Sequence, residues 1–438
     1  MEHKKKRMPG PRLQAASLAG GLVLLLSAGI GIASAGQNDN GQQSSSAKGL
    51  YTPQLDAKRA RQGAIAHLMS IGVPRDEATL RIQKQAGQVR AAVALRKKAP
   101  ESVQSVWIDG NGTLRASVLN KAGEQAAHAA GATPKLVAFS TKDLEAAQDT
   151  LAQDVKDNPP PGFRGASFEI DPAKGKVIAQ YMFDGANPVV PTAATRLGNI
   201  VNASAETGGL ATQEDVGIAG ASMAGVTEGK GGPFITNCTA AWAVDIADPN
   251  GGVPGNGVMT AGHCFDVDDD PQKTEYDIDT TAAGNTQAKG EFFTFGAAGD
   301  YGYLRLQRDR GTTVMPNSGN VVEAIEEPVV GATVCKDGAE TGETCGQIKR
   351  VGVTLITRHG DVNFLVKGMV RTDYCAIVGD SGAPVYMDFD QAKGPLGIAA
   401  LGVHSSGITT IKGPCEAYFT PLSDIDPQGK FFVRIDGG

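Results

Sequence analysis

The pattern of apolar and polar positions divides this 438-residue chain into two parts. In the first part, helix-forming segments alternate with short hairpins. Helices are predicted over 53–98, with an interruption at 72–74, over 124–130, and from a cap at 140–141 to a stop at 158–162. Strands are predicted over 103–108, 114–119, 136–139, 167–170 and 177–182. This order indicates an α+β domain, and it contains no evident active-site constellation.

The second part begins at about residue 218 and has little helical periodicity. Short apolar or alternating runs recur between clusters of Gly, Asn, Asp and Pro, at 239–244, 303–306, 351–357, 363–370 and 396–403. Regular short strands of this kind indicate an all-β sandwich or barrel. Between the two parts, residues 198–217 have the composition of a linker, which we expect to be exposed and sensitive to proteases.

The first 35 residues have the pattern of an export signal. A basic segment (3–7) precedes an apolar run (18–32) and the small-x-small sequence Ala33-Ser34-Ala35. The apolar run is shorter than the roughly 20 residues of a membrane-spanning helix, so a cleaved signal is favoured over a retained anchor. The polar segment 37–48 is then a tether behind the signal.

Cysteine usage agrees with export. Residues 1–237 contain no cysteine, and an even set of six lies in the remainder: Cys238, Cys264, Cys335, Cys345, Cys375 and Cys415. Because no CxxC pair is present, disulfides in an oxidising compartment are favoured over metal ligation. Spacing alone leaves the pairing open.

The two parts also differ in charge. Residues 1–209 carry 25 Lys+Arg against 17 Asp+Glu, a net of +8, and residues 210–438 carry 16 against 30, a net of −14. Opposite charges favour association of the two parts, and coincidental drift in composition is the alternative. Nothing in the chain has the character of a basic nucleic-acid surface.

Three short motifs in the second part contain the residue types of nucleophilic catalysis. TAGHC ends a predicted strand on His263, GDYGYLRL places Asp300 before an alternating strand, and GDSGAP holds Ser381 between glycines. Taken singly, they have simpler interpretations: a structural histidine, a strand-capping aspartate and a tight turn. Together they have the His, Asp, Ser order of the chymotrypsin-type triad.

These motifs resemble those of the trypsin-like serine peptidases. The segments VCKDGAETGETCGQI (334–348), LGVHSSG (401–407) and YFTPL (418–422) narrow the resemblance to the secreted bacterial streptogrisin and α-lytic protease group. The likeness covers about 218–425, and residues 100–182 look more weakly like the pro-region of that group, which assists folding and is later removed. The resemblance implies an all-β protease domain of two antiparallel β-barrels with the triad at their junction, preceded by an α+β pro-domain.

The resemblance also implies roles for single residues. His263 would be the general base, Asp300 would orient it, and Ser381 would attack a peptide carbonyl. The backbone N–H groups of Gly379 and Ser381 would bind the oxyanion. The remaining implied features are a Ser405 hydrogen bond to Asp300, a substrate-pairing edge at Ser406 and Gly407, a buried and paired Asp380, and the disulfides Cys238–Cys264, Cys335–Cys345 and Cys375–Cys415.

The resemblance gives a weaker indication of substrate specificity than of the catalytic residues. His404 stands where glutamate-preferring relatives have a pocket histidine, which suggests Glu or Asp at P1, and a buried structural histidine is the alternative. Ala376 and Gly407 replace serines found in some of those relatives, which argues against the acidic preference. With that preference, self-cleavage after Glu206 or Glu214 would fall in the predicted linker.

The sequence therefore predicts a secreted serine endopeptidase made as a precursor, with a signal peptide (1–35), a pro-region (36–212) and a protease domain (213–438). Protein or peptide substrates and its own pro-region are its expected partners, and neither a cofactor nor a metal is expected. The acidic segment 266–279 lacks EF-hand spacing and is interpreted as a solvated loop. Two alternatives stay open: a catalytically silent barrel that acts as a binding protein, and an esterase with the same triad.

Overall fold

The structure is a computed structural model that describes thirteen stretches of the chain. They are residues 50–51, 57–184, 187–207, 238–246, 255–265, 275–280, 284–306, 322–359, 362–377, 379–388, 397–408, 415–425 and 431–433. The predicted signal, the polar tether and residues 208–237, which hold half of the predicted linker, lie outside these residues. Residues 47–438 form one compact unit.

The N-terminal region, residues 57–207, contains the helices and hairpins that the sequence predicts. Its helices are α1 (Ala57–Ser70), α2 (Arg75–Lys98), α3 (Lys121–Ala129), α4 (Thr141–Asp157) and α5 (Thr192–Arg196). Its strands, which follow the two-residue β1 (Leu50–Tyr51), are β2 (Val103–Ile108), β3 (Leu114–Val118), β4 (Thr133–Leu136), β5 (Phe163–Asp171), β6 (Lys176–Phe183) and β7 (Val201–Thr207). α4 begins where predicted because Ser140 and Asp143 form a reciprocal capping box.

Two local predictions in this region were wrong. Residues 201–207, predicted as linker, form β7, which pairs in parallel with β6. Its alternate residues Val201, Ala203 and Ala205 pack on the core of this region, so small apolar side chains make a strand where the composition suggested a loop. Glu206 therefore lies within a hydrogen-bonded strand. The strand predicted over 136–139 ends at Leu136 instead, because the chain turns there into the cap of α4.

The C-terminal region is built from strands, as predicted. They are β8 (Ala243–Ile246), β9 (Gly255–Thr260), β10 (Glu275–Thr280), β11 (Gly284–Gly296), β12 (Gly299–Leu306), β13 (Val322–Ile325), β14 (Thr333–Gly338), β15 (Gly342–His359), β16 (Val362–Thr372), β17 (Pro384–Asp388), β18 (Ile398–Ile408), β19 (Glu416–Pro421) and β20 (Phe431–Val433). One sheet has the order β1-β10-β11-β12-β9-β8-β20. The second follows β14-β17-β18-β19-β16-β15, and a further β14–β15 pairing closes these six strands into a ring. The chymotrypsin-like, β-rich architecture is confirmed.

The N-terminal region packs directly on the second sheet. Strand β5 pairs antiparallel with β15, from Gly165 opposite Thr357 to Phe168 opposite Thr354, so that β5, β6 and β7 continue the sheet. The apolar side of α2 and the β2–β3 hairpin share one hydrophobic core with the closed ring. Helix α1 packs on β14, β15 and β17. Folding therefore buries apolar surface from both regions together.

Candidate active site

His263 and Asp300 meet at the ends of two neighbouring strands of the first sheet. His263 lies in a single 3₁₀ turn directly after β9, and Asp300 is the second residue of β12. The imidazole Nδ1 is 2.7 Å from Asp300 Oδ2, and the backbone N–H of His263 donates to Oδ1 at 2.8 Å. Gly262 lets the turn before His263 lie close against β11, because a Cβ there would be 1.9 Å from the carbonyl oxygen of Thr294. The Asp300 carboxylate thus fixes both the backbone and the ring of His263.

The Asp300 carboxylate is fully buried and held in its charged form. The Ser405 hydroxyl donates to Oδ2 at 2.6 Å. Burial acts to raise the pKa of Asp300, but the His263 imidazole and the hydrogen bonds from His263 and Ser405 outweigh it, so this pKa lies below its usual value. The Thr420 hydroxyl accepts from the Asp300 N–H and donates to its carbonyl, both at 3.0 Å, which anchors the backbone as well. Asp300 is therefore an acceptor in a fixed position.

Ser381 lies in a tight turn of the second sheet, between β16 and β17. Gly379 and Gly382 on either side of it have φ of +102° and +87°, in the left-handed region that favours glycine. The Ser381 hydroxyl donates to the carbonyl of Ser405 at 3.2 Å. Because the Ser405 side chain contacts Asp300, Ser405 links the serine turn to the His263–Asp300 pair. The three predicted catalytic residues are thus brought to one place, with the serine hydroxyl turned toward Ser405.

The residue before the serine anchors the turn through a buried ion pair. Lys336 Nζ is 2.7 Å from Asp380 Oδ2, and neither side chain is exposed. The same carboxylate accepts hydrogen bonds from the backbone N–H groups of Glu340, Thr341 and Ile377. Burial acts to raise the pKa of Asp380, but the Lys336 ammonium and the hydrogen bonds from Thr341 lower it below its usual value. The sequence predicted a buried, paired Asp380 but not Lys336, which lies between Cys335 and Asp337 in a strand with no pattern that marks it.

His404, the predicted specificity residue, is buried and 1% exposed. Its Nδ1 is hydrogen-bonded to the hydroxyl of Tyr374 at 3.0 Å, and the two rings meet edge to face. Burial, with the positive charge of Lys336, lowers the pKa of His404 to about 3. The imidazole is therefore neutral at physiological pH. Tyr374 has no motif of its own, and sequence reasoning missed it.

The other residues predicted to meet substrate lie on β18 and beside the Cys375–Cys415 disulfide. Ser405 and Ser406 are buried, and the ladder between β18 and β19 is irregular between His404 and Ser406. Gly407 is opposite Ala417 in that ladder. Ala376 belongs to the hydrophobic core of the closed ring and is 1% exposed.

The six cysteines form three disulfides, which are the pairs that the resemblance implied: Cys238–Cys264, Cys335–Cys345 and Cys375–Cys415. The first joins the segment after His263 to the start of the first sheet. The second crosses the β14–β15 hairpin. The described residues hold no group of three or more side chains suited to a metal ion, and none of the helices among them is long and apolar enough to cross a membrane. The acidic segment 266–279 lies mostly outside the described residues.

Comparison with known proteins identifies the C-terminal region. The sequence model of the family described as Trypsin matches residues 239–427, the stretch that contains His263, Asp300 and Ser381. These residues form a trypsin-family serine protease domain. The trypsin-family domain includes both sheets of the C-terminal region except for β1 and β20 at the edge of the first.

Curated relatives extend the similarity beyond the trypsin-family domain. Serine protease 1 of Rarobacter faecitabidus is 26% identical over 369 residues, which are 83% of this chain and 61% of that protein. Streptogrisin-C of Streptomyces griseus is 25% identical over 395 residues, 88% of this chain and 78% of the relative. Thermobifida fusca protease A, a solved structure, is 24% identical over 45% of this chain and 91% of its own, with a TM-score of 0.32. Residues 239–438 make up less than half of the chain, whereas the two curated matches cover 83% and 88% of it. Both matches must therefore include much of the N-terminal region.

Proposed function

We propose that the chain is the precursor of a secreted serine endopeptidase whose nucleophile is Ser381. The observation that carries the proposal is the double contact of Ser405, whose side chain bonds Asp300 at 2.6 Å and whose carbonyl accepts from Ser381 at 3.2 Å. Through this one residue, the oriented His263–Asp300 pair and the serine turn share a single site.

The proposed chemistry is acyl transfer through Ser381. Because Asp300 occupies Nδ1 of His263, Nε2 is the nitrogen that would take the hydroxyl proton as the Ser381 oxygen attacks a peptide carbonyl. The hydroxyl would rotate away from Ser405 to reach it, as catalytic hydrogen bonds often tighten only when substrate is bound. His263 would return the proton to the leaving amine, and water would release the acyl group by the same route.

The developing oxyanion would be bound by the N–H groups of Gly379 and Ser381. Glycine suits position 379 because its φ of +102° is rarely adopted by other residues. Loss of one such donor typically costs about 3 kcal/mol of transition-state stabilisation. The Lys336–Asp380 pair would keep these donors in place by anchoring the residue between them.

For the P1 residue, we propose that any preference for Glu or Asp depends on hydrogen bonding rather than on an ion pair. With a pKa of about 3, His404 would meet a substrate carboxylate as a neutral imidazole. Without substrate, this residue therefore carries no positive charge for an ion pair with a P1 carboxylate. Cleavage of a Glu, Gln, Phe, Leu and Ala series at P1 would measure the preference, and a strong preference for Glu over its uncharged isostere Gln would contradict this account.

The N-terminal region is proposed to be a pro-region that helps the trypsin-family domain to fold and is then removed, after a signal at residues 1–35 has directed export. The shared hydrophobic core and the β5–β15 pairing support this role. Ion pairs across the boundary add to it, with Arg59 and Arg61 of α1 opposite Asp337 and Asp388 of the protease domain.

Labelling with a sulfonyl fluoride separates the endopeptidase from the alternatives. We expect one adduct on Ser381, none in Ser381→Ala, and hydrolysis of a protein substrate that the same substitution abolishes. A protein that forms no adduct and cleaves nothing would be a silent binding protein, and an adduct with ester turnover but no peptide cleavage would indicate an esterase.

A further inference from the structure

Thr239 is a buried residue shortly before β8 that contacts the serine turn at two points. It follows Cys238 and is fully buried. Its hydroxyl donates to the carbonyl of Gly379 at 2.9 Å, and its backbone N–H donates to the carbonyl of Ser381 at 2.6 Å. The hydroxyl also accepts from the N–H of Ala339 at 3.0 Å, which directs its own hydrogen toward Gly379.

These two contacts enclose the peptide plane that carries the Ser381 N–H. The Gly379 carbonyl belongs to the plane before it, and the Ser381 carbonyl belongs to the plane after it. The enclosed plane itself makes one backbone hydrogen bond among the described residues, from the Ala383 N–H to the Asp380 carbonyl at 2.9 Å, and the Lys336–Asp380 pair anchors the Asp380 side chain at its start. Because consecutive peptide planes rotate only about φ and ψ, holding the flanking planes limits the direction in which the Ser381 N–H can point.

Thr239 also connects this turn to the segment of His263. The Cys238–Cys264 disulfide joins the neighbours of the two residues in sequence. The Thr260 hydroxyl donates to the Thr239 carbonyl at 2.9 Å, three residues before His263. Thr239 is therefore linked both to the segment that carries His263 and to the turn that carries Ser381.

We propose that Thr239 is a positioning residue that orients the oxyanion donors at Gly379 and Ser381 relative to His263. The proposal rests on the proposed peptidase function, since it concerns the turn that would bind the oxyanion. Donors that already point at the developing charge need no reorganisation during the reaction, so their alignment affects the transition state more than substrate binding.

The test compares Thr239→Val with Thr239→Ser in the full chain, matured and normalised by the endpoint of fluorophosphonate titration. Valine keeps the shape and the backbone N–H but removes the hydroxyl, and serine keeps the hydroxyl. On the best substrate of an Ala-Ala-Pro-X 4-nitroanilide series, we expect Thr239→Val to lower kcat by about 10- to 100-fold with KM nearly unchanged. The inhibition constant of a matching peptide boronic acid should rise in parallel, and Thr239→Ser should recover most of kcat.

Thr344→Val is the matched control, because the Thr344 hydroxyl also donates to a carbonyl, that of Cys375 at 2.7 Å, without contacting residues 379–382. It should lower the melting temperature but not kcat. Equal kcat in Thr239→Val and the parent, or equal losses in the valine and serine variants, would overturn the proposal. If Thr239→Val yields no titratable sites, Thr239→Ala against Thr239→Ser decides the same question. An unreactive parent would instead contradict the peptidase function itself.

Discussion

Lys336 and Asp380 show how one buried ion pair can hold the turn that carries Ser381. Their atoms are 2.7 Å apart with both side chains fully buried, and Asp380 is the residue between Gly379 and Ser381. Removing one partner of a buried pair leaves a charge that neither water nor protein compensates. The pair thus ties the stability of the domain to the position of Ser381, the proposed nucleophile.

Replacing Lys336 by Met should destabilise the protein strongly. We expect the free energy of unfolding to fall by about 3–5 kcal/mol, because the Asp380 charge stays buried without its ammonium. Lys349→Met is the control, since Lys349 is 36% exposed in its pair with Asp373, and such a pair contributes about 1 kcal/mol or less. Urea unfolding of both in a Ser381→Ala background measures the difference, and equal losses would contradict the assignment.

His404 should make the protein sensitive to acid. Its pKa is about 3 in the folded protein, against about 6.5 in an unfolded chain. Below pH 6.5 the unfolded state binds a proton that the folded state does not, so stability is lost as pH falls toward 3. Between pH 7 and pH 4 this amounts to about 3 kcal/mol, which His404→Gln should remove. Urea unfolding at the two pH values tests it, and an unchanged pH dependence in the variant would contradict it.

At the residue scale, the predictions from the sequence were most accurate for residues that lie in a recognisable short motif. His263, Asp300 and Ser381 each lie in a short motif, and the structure brings them to one site. Lys336, Tyr374 and Thr239 could not be predicted, because their contacts form between strands far apart in the chain. The residues adjacent in sequence do not indicate which side chain a buried carboxylate or imidazole will contact.

At the scale of elements, helix α1 is a basic surface docked on an acidic one. Arg59 lies near Asp337 and Glu343, which are directly opposite each other in the β14–β15 ladder. Like charges in that position repel each other, and the guanidinium group offsets the repulsion. Arg61 reaches the buried Asp388 with two nitrogen contacts, at 2.6 and 2.7 Å.

Arg61→Leu should weaken the docking of α1. We expect a loss of about 3 kcal/mol in the free energy of unfolding, because the Asp388 carboxylate stays buried without this guanidinium. The double variant Arg61→Leu with Asp388→Leu removes both charges and should recover much of the loss. Urea unfolding in the Ser381→Ala background measures both, and a double variant no more stable than the single one would contradict a direct interaction.

Element boundaries followed local chemistry where that chemistry was strong. The break at Pro74 and the cap at Ser140 were predicted because each depends on a few adjacent residues. β7 was missed because its small residues have weak strand preference and become a strand only by pairing with β6.

At the scale of the whole molecule, the opposite charges of the two regions correspond to ion pairs across their boundary. The N-terminal region contributes Arg96 and Lys97 opposite Glu327, and it contributes Glu169 opposite Arg350 and Arg371. The sequence predicted two regions of opposite charge that associate. It could not predict which surfaces of the two regions meet. In the second set of ion pairs the N-terminal region supplies the acidic residue, which is the reverse of the predicted polarity.

Deleting residues 36–207 while keeping the signal should abolish the yield of active protease. The closed ring would lose the apolar surface of α2 and the β2–β3 hairpin, and its long-range strand pairing would form slowly without them. Fluorophosphonate titration of the secreted fraction measures this, with Ser381→Ala in the full chain as the control for export. A deletion variant with the parent's number of titratable sites would contradict a folding role.

If the N-terminal region is removed as proposed, the pairing of β5 with β15 has a consequence for the domain that is left. Residues 354–357 would then present the unpaired edge of a sheet, which invites association between copies. Departure of Glu169 would at the same moment leave the guanidinium groups of Arg350 and Arg371 beside that edge without this counter-ion. Each Arg371 would keep its ion pair with Glu416, so two copies approaching through the same edge would bring the two Arg350 guanidinium groups together, and their repulsion would oppose aggregation of the released domain.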